Sequence, residues 1–464
     1  MKSVGIVGAG VFGLTAAFLL KRKGFAVTVY EADKKVGGKI DTFSKDGFIA
    51  ELGPSSILES SDRIDELIKM LRLERDKIYA SEAAKKRYII KRLRPQAMPD
   101  SLFSFYSTQL FSGSAKRRLL KEPFIPPSDP NIVESIADFV RRRLGEEILD
   151  YAVNPFVAGV YAGDPEQLAV KYALPVLWEM EQEGGSLFKG ALAGMKRKRN
   201  ESTLKKRNKG IPKIFSFRDG MKSLINVLRD ELAGDVKVST KVTKFNRSAG
   251  TWDVRTMEYA PILNFESNSH DILLFATPAY SWAGFDTDSI AFDTLYRLAN
   301  VIYPSINVVS LGYCEDDLEF PFDGYGALAP EAEHCLALGV LFPSSIFPYR
   351  APEGYHLLTA YFGGMRNRNY GEVPEKLAAE MAISEIDLLY IANKEPVFVK
   401  TNNVRFAIPQ YALNYGEQLK IMDEIEKANP GLFIGGTIRG GISVGDAIKN
   451  AFNLVDRIVE YAKD

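Results

Sequence analysis

Three glycines at fixed intervals carry the first chemistry legible in this sequence. In "GAGVFG", residues 8–13, Gly8, Gly10 and Gly13 have the spacing with which a backbone closes around a pyrophosphate. Gly8 makes a tight turn, Gly10 admits the main chain close to the phosphates, and Gly13 lets a helix pack onto a strand. The helix beginning there presents unpaired N–H groups and the positive end of its dipole to an anion. Glu31 ends the next apolar run, placed to accept hydrogen bonds from ribose hydroxyls. Its charge disfavours a ribose carrying an additional phosphate.

These residues work only if strand, turn, helix and strand follow one another around them, and the pattern supplies that order. Val4, Ile6 and Val7 form a short buried strand. Leu14, Ala17, Phe18 and Leu20 recur at helical spacing, and Gly24 ends the helix before a second strand, Ala26 to Tyr30. Gly37-Gly38 in "KKVGGKIDTF" and Gly53-Pro54 in "GFIAELGPSSI" add backbone unencumbered by Cβ just past the ribose site. The carboxyl end, "LFIGGTIRGGISVGDAIKNAFNLVDRIV", returns to strand then helix with a further glycine segment. A nicotinamide fold needs only the first of these segments. A long, buried FAD needs several to line it, so the set predicts tightly held FAD in a discontinuous domain.

The chain has 464 residues, too many for one ordinary core. At 46% hydrophobic and 25% charged it has a globular composition. Fifty-nine basic residues balance fifty-nine acidic ones, so net charge names no partner. Cys314 and Cys335 build neither a disulfide framework nor a metal cluster, and His270, His334 and His356 lack metal-ligand spacing, so no metal is expected. Gly interrupts the amino-terminal apolar run where a secretion signal needs continuity, and Leu298 to Cys314 is broken by Pro304, Ser305 and Asn307, which counts against a spanning helix. A cytoplasmic or membrane-surface protein is expected, and a homodimer is left open.

Between these ends, Glu134 to Asp150 reads as one amphipathic helix. Met195 to Lys213 holds nine Lys or Arg and one acid, Glu201, which suits a surface loop or a contact with anionic lipid. No aromatic platform or helix-turn-helix accompanies it, which counts against nucleic acid. Strands are predicted from the alternation of Val236, Val238, Val242 and Phe245, and over Asn307–Gly312, Leu336–Leu341 and Tyr355–Phe362.

The glycine segments together resemble the FAD-containing amine oxidase superfamily with its glutathione-reductase-like fold. More specifically, "NPFVAGVYAGDPEQLAVKYALPVLWEMEQEGGSLFKG" (154–190), "GYGALAPEAE", "SSIFPYRAPEGYHLLTAYFGG" and "IPQYALNYGEQL" resemble, in order, blocks of the protoporphyrinogen oxidase and coproporphyrinogen III oxidase family. The resemblance implies an α/β fold: an FAD-binding Rossmann-like domain (1–80, 206–285 and 400–464), an inserted antiparallel-sheet substrate domain (81–100 and 286–399) and a helical membrane-associated insert (101–205). It implies a monotopic, cytoplasmic flavoenzyme of haem biosynthesis, peripheral on the inner face of the cell membrane. Protoporphyrinogen IX would be oxidised to protoporphyrin IX with molecular oxygen, or coproporphyrinogen III to coproporphyrin III.

Residue by residue, the resemblance places FAD contacts at Gly8, Ala9, Gly10, Val11, Phe12, Gly13, Glu31, Ala32, Gly38, Lys39, Gly53, Pro54, Ser55, Ser56, Val242, Gly436, Ile442, Ser443 and Val444. Arg87 matches the family arginine that pairs a substrate propionate, a task suited to a guanidinium fork. Arg439 would offer a second cation. Phe156, Val160, Leu168, Leu174, Leu177, Phe342, Phe347, Tyr361 and Phe362 are candidate walls for a flat macrocycle, with Phe342 and Tyr361 foremost as substrate contacts. Catalysis would centre on the flavin, without a protein nucleophile or general base. An amine oxidase or carotenoid desaturase of the same superfamily, or a non-catalytic flavoprotein, remain the competing readings.

Overall fold

The strand Ser3–Val7 is apolar on both faces and buried along most of its length, which suits the middle of a parallel sheet. In this computed structural model, which describes residues 1–194, 213–260 and 262–463, it pairs in parallel with Ala26–Tyr30 and Ile272–Phe275. The full order is Val236–Lys237, Ala26–Tyr30, Ser3–Val7, Ile272–Phe275, Leu432–Ile434. Three remote stretches of chain therefore meet in one sheet. The helices Val11–Arg22 and Val444–Tyr461 pack against it in a shared core. An antiparallel meander, Thr240–Ser248, Thr251–Ala260 and Ile262–His270, extends one side.

A second, seven-stranded sheet is ordered Phe398–Val404, Ile306–Cys314, Tyr355–Gly363, Ala337–Leu341, Gly326–Leu328, Tyr88–Lys91, Arg94–Ala97. Its edge strand Phe398–Val404 crosses the boundary expected at residue 400. One face is sealed by the helix Glu375–Tyr390, which buries Ala378, Ala382 and Ile386 against Val309, Leu311, Ala360 and Phe362. Because side chains alternate along a strand, Tyr361 projects from the opposite face.

Short helices fill much of 102–184, including Ile136–Arg143, Asn154–Tyr161 and Pro175–Gly184. The single helix expected over Glu134–Asp150 is broken. Gly145 lies at φ +96°, the chain restarts over Glu146–Ile148, and a π-turn at Leu149–Val153 leads into Asn154–Tyr161. The core here contains charge. Arg143 is fully buried between Glu181 and Glu122, 3.1 Å from the latter. The basic run from Met195 lies, up to residue 212, outside the described residues.

Candidate active site

The glycine loop has the mechanics its spacing predicts. Gly8 sits at φ +107°. A Cβ on Gly13 would come 2.1 Å from the Gly8 carbonyl, so only glycine lets helix and strand approach this closely. At Gly10 a Cβ would meet nothing within 4 Å, so open space lies in front of the main chain there. The helix Val11–Arg22 has no side-chain cap at Gly10 and no acid in its first turn, leaving its N-terminal N–H groups available to an anion. Phe12 is buried beneath Gly435, where an added Cβ would fall 2.2 Å from the Phe12 ring.

Glu31 turns back on this loop. Its Oε2 accepts from Ala9 N at 2.8 Å and its Oε1 from Asp33 N at 2.9 Å, while burial raises its pKa against the pull of those N–H groups. Ala32 is exposed beside it. Gly37 forms a bridge with Gly10, and Gly38, at φ +58°, lies against the Gly10 Cα. Gly53 is tied to the same place, since a Cβ there would meet the Lys39 carbonyl at 2.0 Å. Pro54, Ser55 and Ser56 continue it as a half-buried loop. Gly436, at φ +95°, has its Cβ direction clear to 3.5 Å, and Ile442 is half-buried beyond it. Ser443 caps the final helix by accepting from Asp446 N at 3.0 Å, and Val444 is buried in the first turn. Val242 buries its side chain with Val7 and Tyr30, so any ligand contact there is through main chain.

Lys39 is the cation of this assembly. Its ammonium donates to the Ala407 carbonyl and lies 5.2 Å from the Tyr303 ring centroid. Among the described residues no carboxylate pairs with it, and burial pulls its pKa down to about 8. A buried amine without an acid calls for an anionic partner. An uncapped helix N-terminus, an open Gly10 face and an acid-free lysine all suit a pyrophosphate, and Glu31 suits the ribose beside it. The residues fit FAD.

Arg87 differs from its neighbours in the basic run. Lys85 is paired with Glu82, and Lys86 lies 2.7 Å from Asp323. Arg87 is exposed, has no carboxylate at ion-pair distance among the described residues, and stacks 5.7 Å above the Tyr325 ring. Tyr325 in turn lies near enough to act electrostatically on Tyr361, as does Glu51 at the start of the Gly53 loop. Tyr361 packs with Ala407, whose carbonyl accepts from Lys39, so it adjoins the cofactor cradle. It retains accessible surface although burial raises its hydroxyl pKa well above the usual range. Around it gather Ala158, Ala162, Ile306, Val308, Leu338 and Ala407, an apolar wall built from both sheet and helices.

Several expected wall residues lie elsewhere. Phe342 is wholly buried on the far side of the sheet, where Tyr88, Phe320, Phe322 and Tyr390 enclose its ring. That packing leaves it no face for substrate. Phe362 shares the core and Phe347 packs with Ala84 and Ile346. Phe156 and Val160 are exposed, whereas Leu168 is core within the helical region and Leu174 and Leu177 pack against it. Arg439 is also no free cation, being paired with Asp423 and, at 3.1 Å, with Glu426.

Two tyrosines absent from the sequence-based set tie the halves together. Tyr411 and Tyr415 stack at 4.2 Å and donate to the carbonyls of Thr437 and Ile438 at 2.6 and 2.7 Å. Tyr411 also accepts from Gly441 N at 3.1 Å, and Gln410 donates to the Tyr161 carbonyl at 2.9 Å. The "IPQY" segment therefore fixes the glycine loop after Leu432–Ile434 and the end of Asn154–Tyr161 at once.

The model of the family described as flavin containing amine oxidoreductase matches residues 13–459. The chain belongs to this family. It is an oxidoreductase, and its cofactor is FAD. This flavin-containing oxidoreductase is 32% identical to the mitochondrial protoporphyrinogen oxidase of Nicotiana tabacum, over 99% of this chain and 95% of that one. It is 27% identical to the coproporphyrinogen III oxidase of Bacillus subtilis (strain 168), over 99% and 98%. In fold it is similar to a crystal structure from Exiguobacterium sp. 255-15 that carries a provisional protoporphyrinogen oxidase name, with TM-score 0.81, 21% identity, and 100% and 99% of the two chains covered.

Proposed function

We propose that this oxidoreductase oxidises protoporphyrinogen IX to protoporphyrin IX, a step of haem biosynthesis, with molecular oxygen as final acceptor. The observation that carries the proposal is Arg87, a guanidinium with no carboxylate at ion-pair distance among the described residues, which adjoins the sheet that also carries the apolar wall around Tyr361 beside the cofactor cradle. A porphyrinogen has that pairing of properties, a broad apolar body with propionates at its edge. Full-length likeness to enzymes named for both porphyrinogens supports it. Coproporphyrinogen III is the second reading, favoured by the phenol hydroxyls of Tyr325 and Tyr361 inside the slot.

In this scheme the substrate gives up a hydride from a methylene bridge and a proton from a pyrrole N–H; repetition of the step, with a tautomeric proton shift from the last methylene carbon to a ring nitrogen, completes the aromatic ring. FAD, when bound, supplies the hydride acceptor and is returned to its oxidised form by oxygen, with hydrogen peroxide as the product. Arg87 holds a propionate and so sets which bridge is presented. Ala158, Ala162, Val308 and Leu338 exclude water and keep the macrocycle flat against the cofactor. Tyr411 and Tyr415 hold the glycine loop rigid beneath it.

The helical region adds a membrane surface to this proposal. Phe103 and Phe124 are 84% and 85% exposed, and Leu120, Ile132, Val176 and Leu192 are exposed with them. Among the described residues no helix is long and apolar enough to cross a bilayer. We place this surface on the inner face of the cell membrane, where an apolar product leaves without entering water.

The deciding experiment is anaerobic titration of the yellow protein with each porphyrinogen, followed by porphyrin fluorescence. Bleaching of the flavin and a stoichiometric porphyrin signal are expected. A flavin that stays oxidised with both would reject the assignment. Flotation with anionic liposomes tests the membrane surface, which binding lost on replacing Phe103 and Phe124 by Ser would support.

A further inference from the structure

Tyr361 and Tyr325 share a property that the apolar wall around them does not. Each carries a hydroxyl with no hydrogen-bond partner among the described residues, and each keeps accessible surface. Tyr361 projects from the centre of the sheet, opposite Val308 on one side and Gly339 on the other. Gly339 is closely packed, since a Cβ there would meet the Ala327 carbonyl at 2.8 Å and the Leu328 side chain at 3.1 Å, so the accessible part of Tyr361 lies away from this strand. Tyr325 lies under Arg87, whose guanidinium is 5.7 Å from its ring centroid, and is near enough to Tyr361 to act on it electrostatically. This row of three donors, Arg87, Tyr325 and Tyr361, is carried by one sheet, and Tyr361 packs with Ala407, whose carbonyl accepts from Lys39 of the cofactor cradle.

The row matters because the two candidate substrates differ in what they would bring to it. A porphyrinogen with two propionates engages Arg87 and carries vinyl groups on its remaining edge. One with four propionates brings carboxylates to both edges. A hydroxyl inside an apolar slot that meets a vinyl group stays unpaired after losing its water, whereas one that meets a carboxylate makes a charge-assisted bond. Sites built to hydrogen-bond one substrate discriminate strongly against the analogue without the matching group.

We propose that Tyr361, supported by Tyr325, is a specificity-determining residue whose hydroxyl receives an inner-edge carboxylate, so that this slot accepts a tetracarboxylate porphyrinogen better than a slot with Phe at the same place. The inference rests on the oxidase reading above and adds the residue that sets its substrate preference.

The test compares kcat/KM for coproporphyrinogen III and protoporphyrinogen IX in the FAD-loaded protein and in Tyr361→Phe and Tyr325→Phe. Binding of the two porphyrin products is measured alongside by fluorescence quenching. Tyr361→Phe is expected to lower the coproporphyrinogen-to-protoporphyrinogen ratio about tenfold and Tyr325→Phe severalfold, with the product affinity ratio moving in the same sense. A ratio within twofold of the unaltered protein in both variants, for turnover and binding alike, would overturn the proposal while leaving the oxidase reading standing. If the unaltered protein oxidises neither porphyrinogen, the oxidase reading falls and this inference falls with it. Retained flavin absorbance in each variant separates a change of preference from a lost fold.

Discussion

The cofactor half and the substrate half of this oxidoreductase are built on opposite principles. Around the parallel sheet the proposed cofactor surface is main chain: Gly8, Gly13 and Gly53 let backbone segments close on one another, and Gly10 and Gly436 leave main chain open. On the seven-stranded sheet the proposed substrate surface is side chain: Arg87, Tyr325, Tyr361 and the apolar residues around Tyr361. A main-chain site tolerates almost no added volume, because backbone cannot move aside. A side-chain site is graded, each group adding a separable share of affinity.

The largest expected effect tests the first half of that contrast. Gly13→Val drives a side chain into the Gly8 carbonyl, so the helix must leave the strand, and we expect little folded protein. Gly10→Val places its Cβ where no protein atom lies within 4 Å, so the fold is expected to survive, but the side chain fills the space in which a pyrophosphate would approach. Folded, colourless protein is expected for Gly10→Val. A fully yellow Gly10→Val variant would break the comparison, since the loop would then bind through something other than its open backbone.

The two halves also differed in how far the sequence exposed them. A glycine motif is local: strand, loop and helix lie within thirty residues of one another, and the conformational demand at each glycine names its task. The slot is not local. Phe342, Tyr361 and Phe362 are all aromatic residues on apolar strands, and which of them faces substrate depends on strand parity and on which face the helix Glu375–Tyr390 covers. Neither can be read from the strand alone. Arg439 was misleading for a related reason. Its glycine-rich surroundings suggest the cofactor, but Asp423 and Glu426 on a separate helix neutralise it. Tyr411 and Tyr415 lie within a family-like block, yet their hydrogen bonds to Thr437 and Ile438 join segments that only the fold brings together.

The helical region sharpens the contrast from a third direction, because its core depends on charge. Arg143 is fully buried between Glu122 and Glu181, with Arg142 also reaching Glu181 at 2.8 Å. Removing one member of a buried network leaves its partners unpaired, so Arg143→Met is expected to destabilise this region by about 3–5 kcal/mol. Limited proteolysis across 102–184 would report it, with flavin content less affected than in Gly10→Val. Unchanged protease resistance would show that the glutamates need no partner.

Glu51 links the halves and titrates in an accessible range. It is buried, accepting from Thr42 Oγ1 at 2.7 Å and Met221 N at 2.9 Å, with Arg350 3.6 Å away. Burial raises its pKa from 4.5 to about 7 despite those partners. A carboxyl whose pKa is higher in the folded state than in the unfolded one favours folding while protonated. Its contribution is therefore complete below pH 4.5 and is lost as pH rises through about 7. The loss amounts to about 3 kcal/mol. Denaturant unfolding between pH 5 and 8 should show the decline, and Glu51→Gln should flatten it. An equal slope in that variant would assign the titration to another group.

The smallest effect tests the graded half. Arg87→Ala removes the guanidinium and its stack on Tyr325, and a propionate at the slot mouth then has no cation. Michaelis constants for either porphyrinogen should rise about tenfold or more, in keeping with the ~1.5–3 kcal/mol typical of hydrogen bonds to charged groups. Flavin content should not change, because Lys85 and Lys86 keep their own acids and Arg87 stacks on Tyr325, not on the glycine loops. Arg87→Lys restores charge without the planar fork and should recover part of the loss. A fall in kcat with constant KM would instead mean that Arg87 acts on the transition state, and the side-chain half would then be as exacting as the glycine loop.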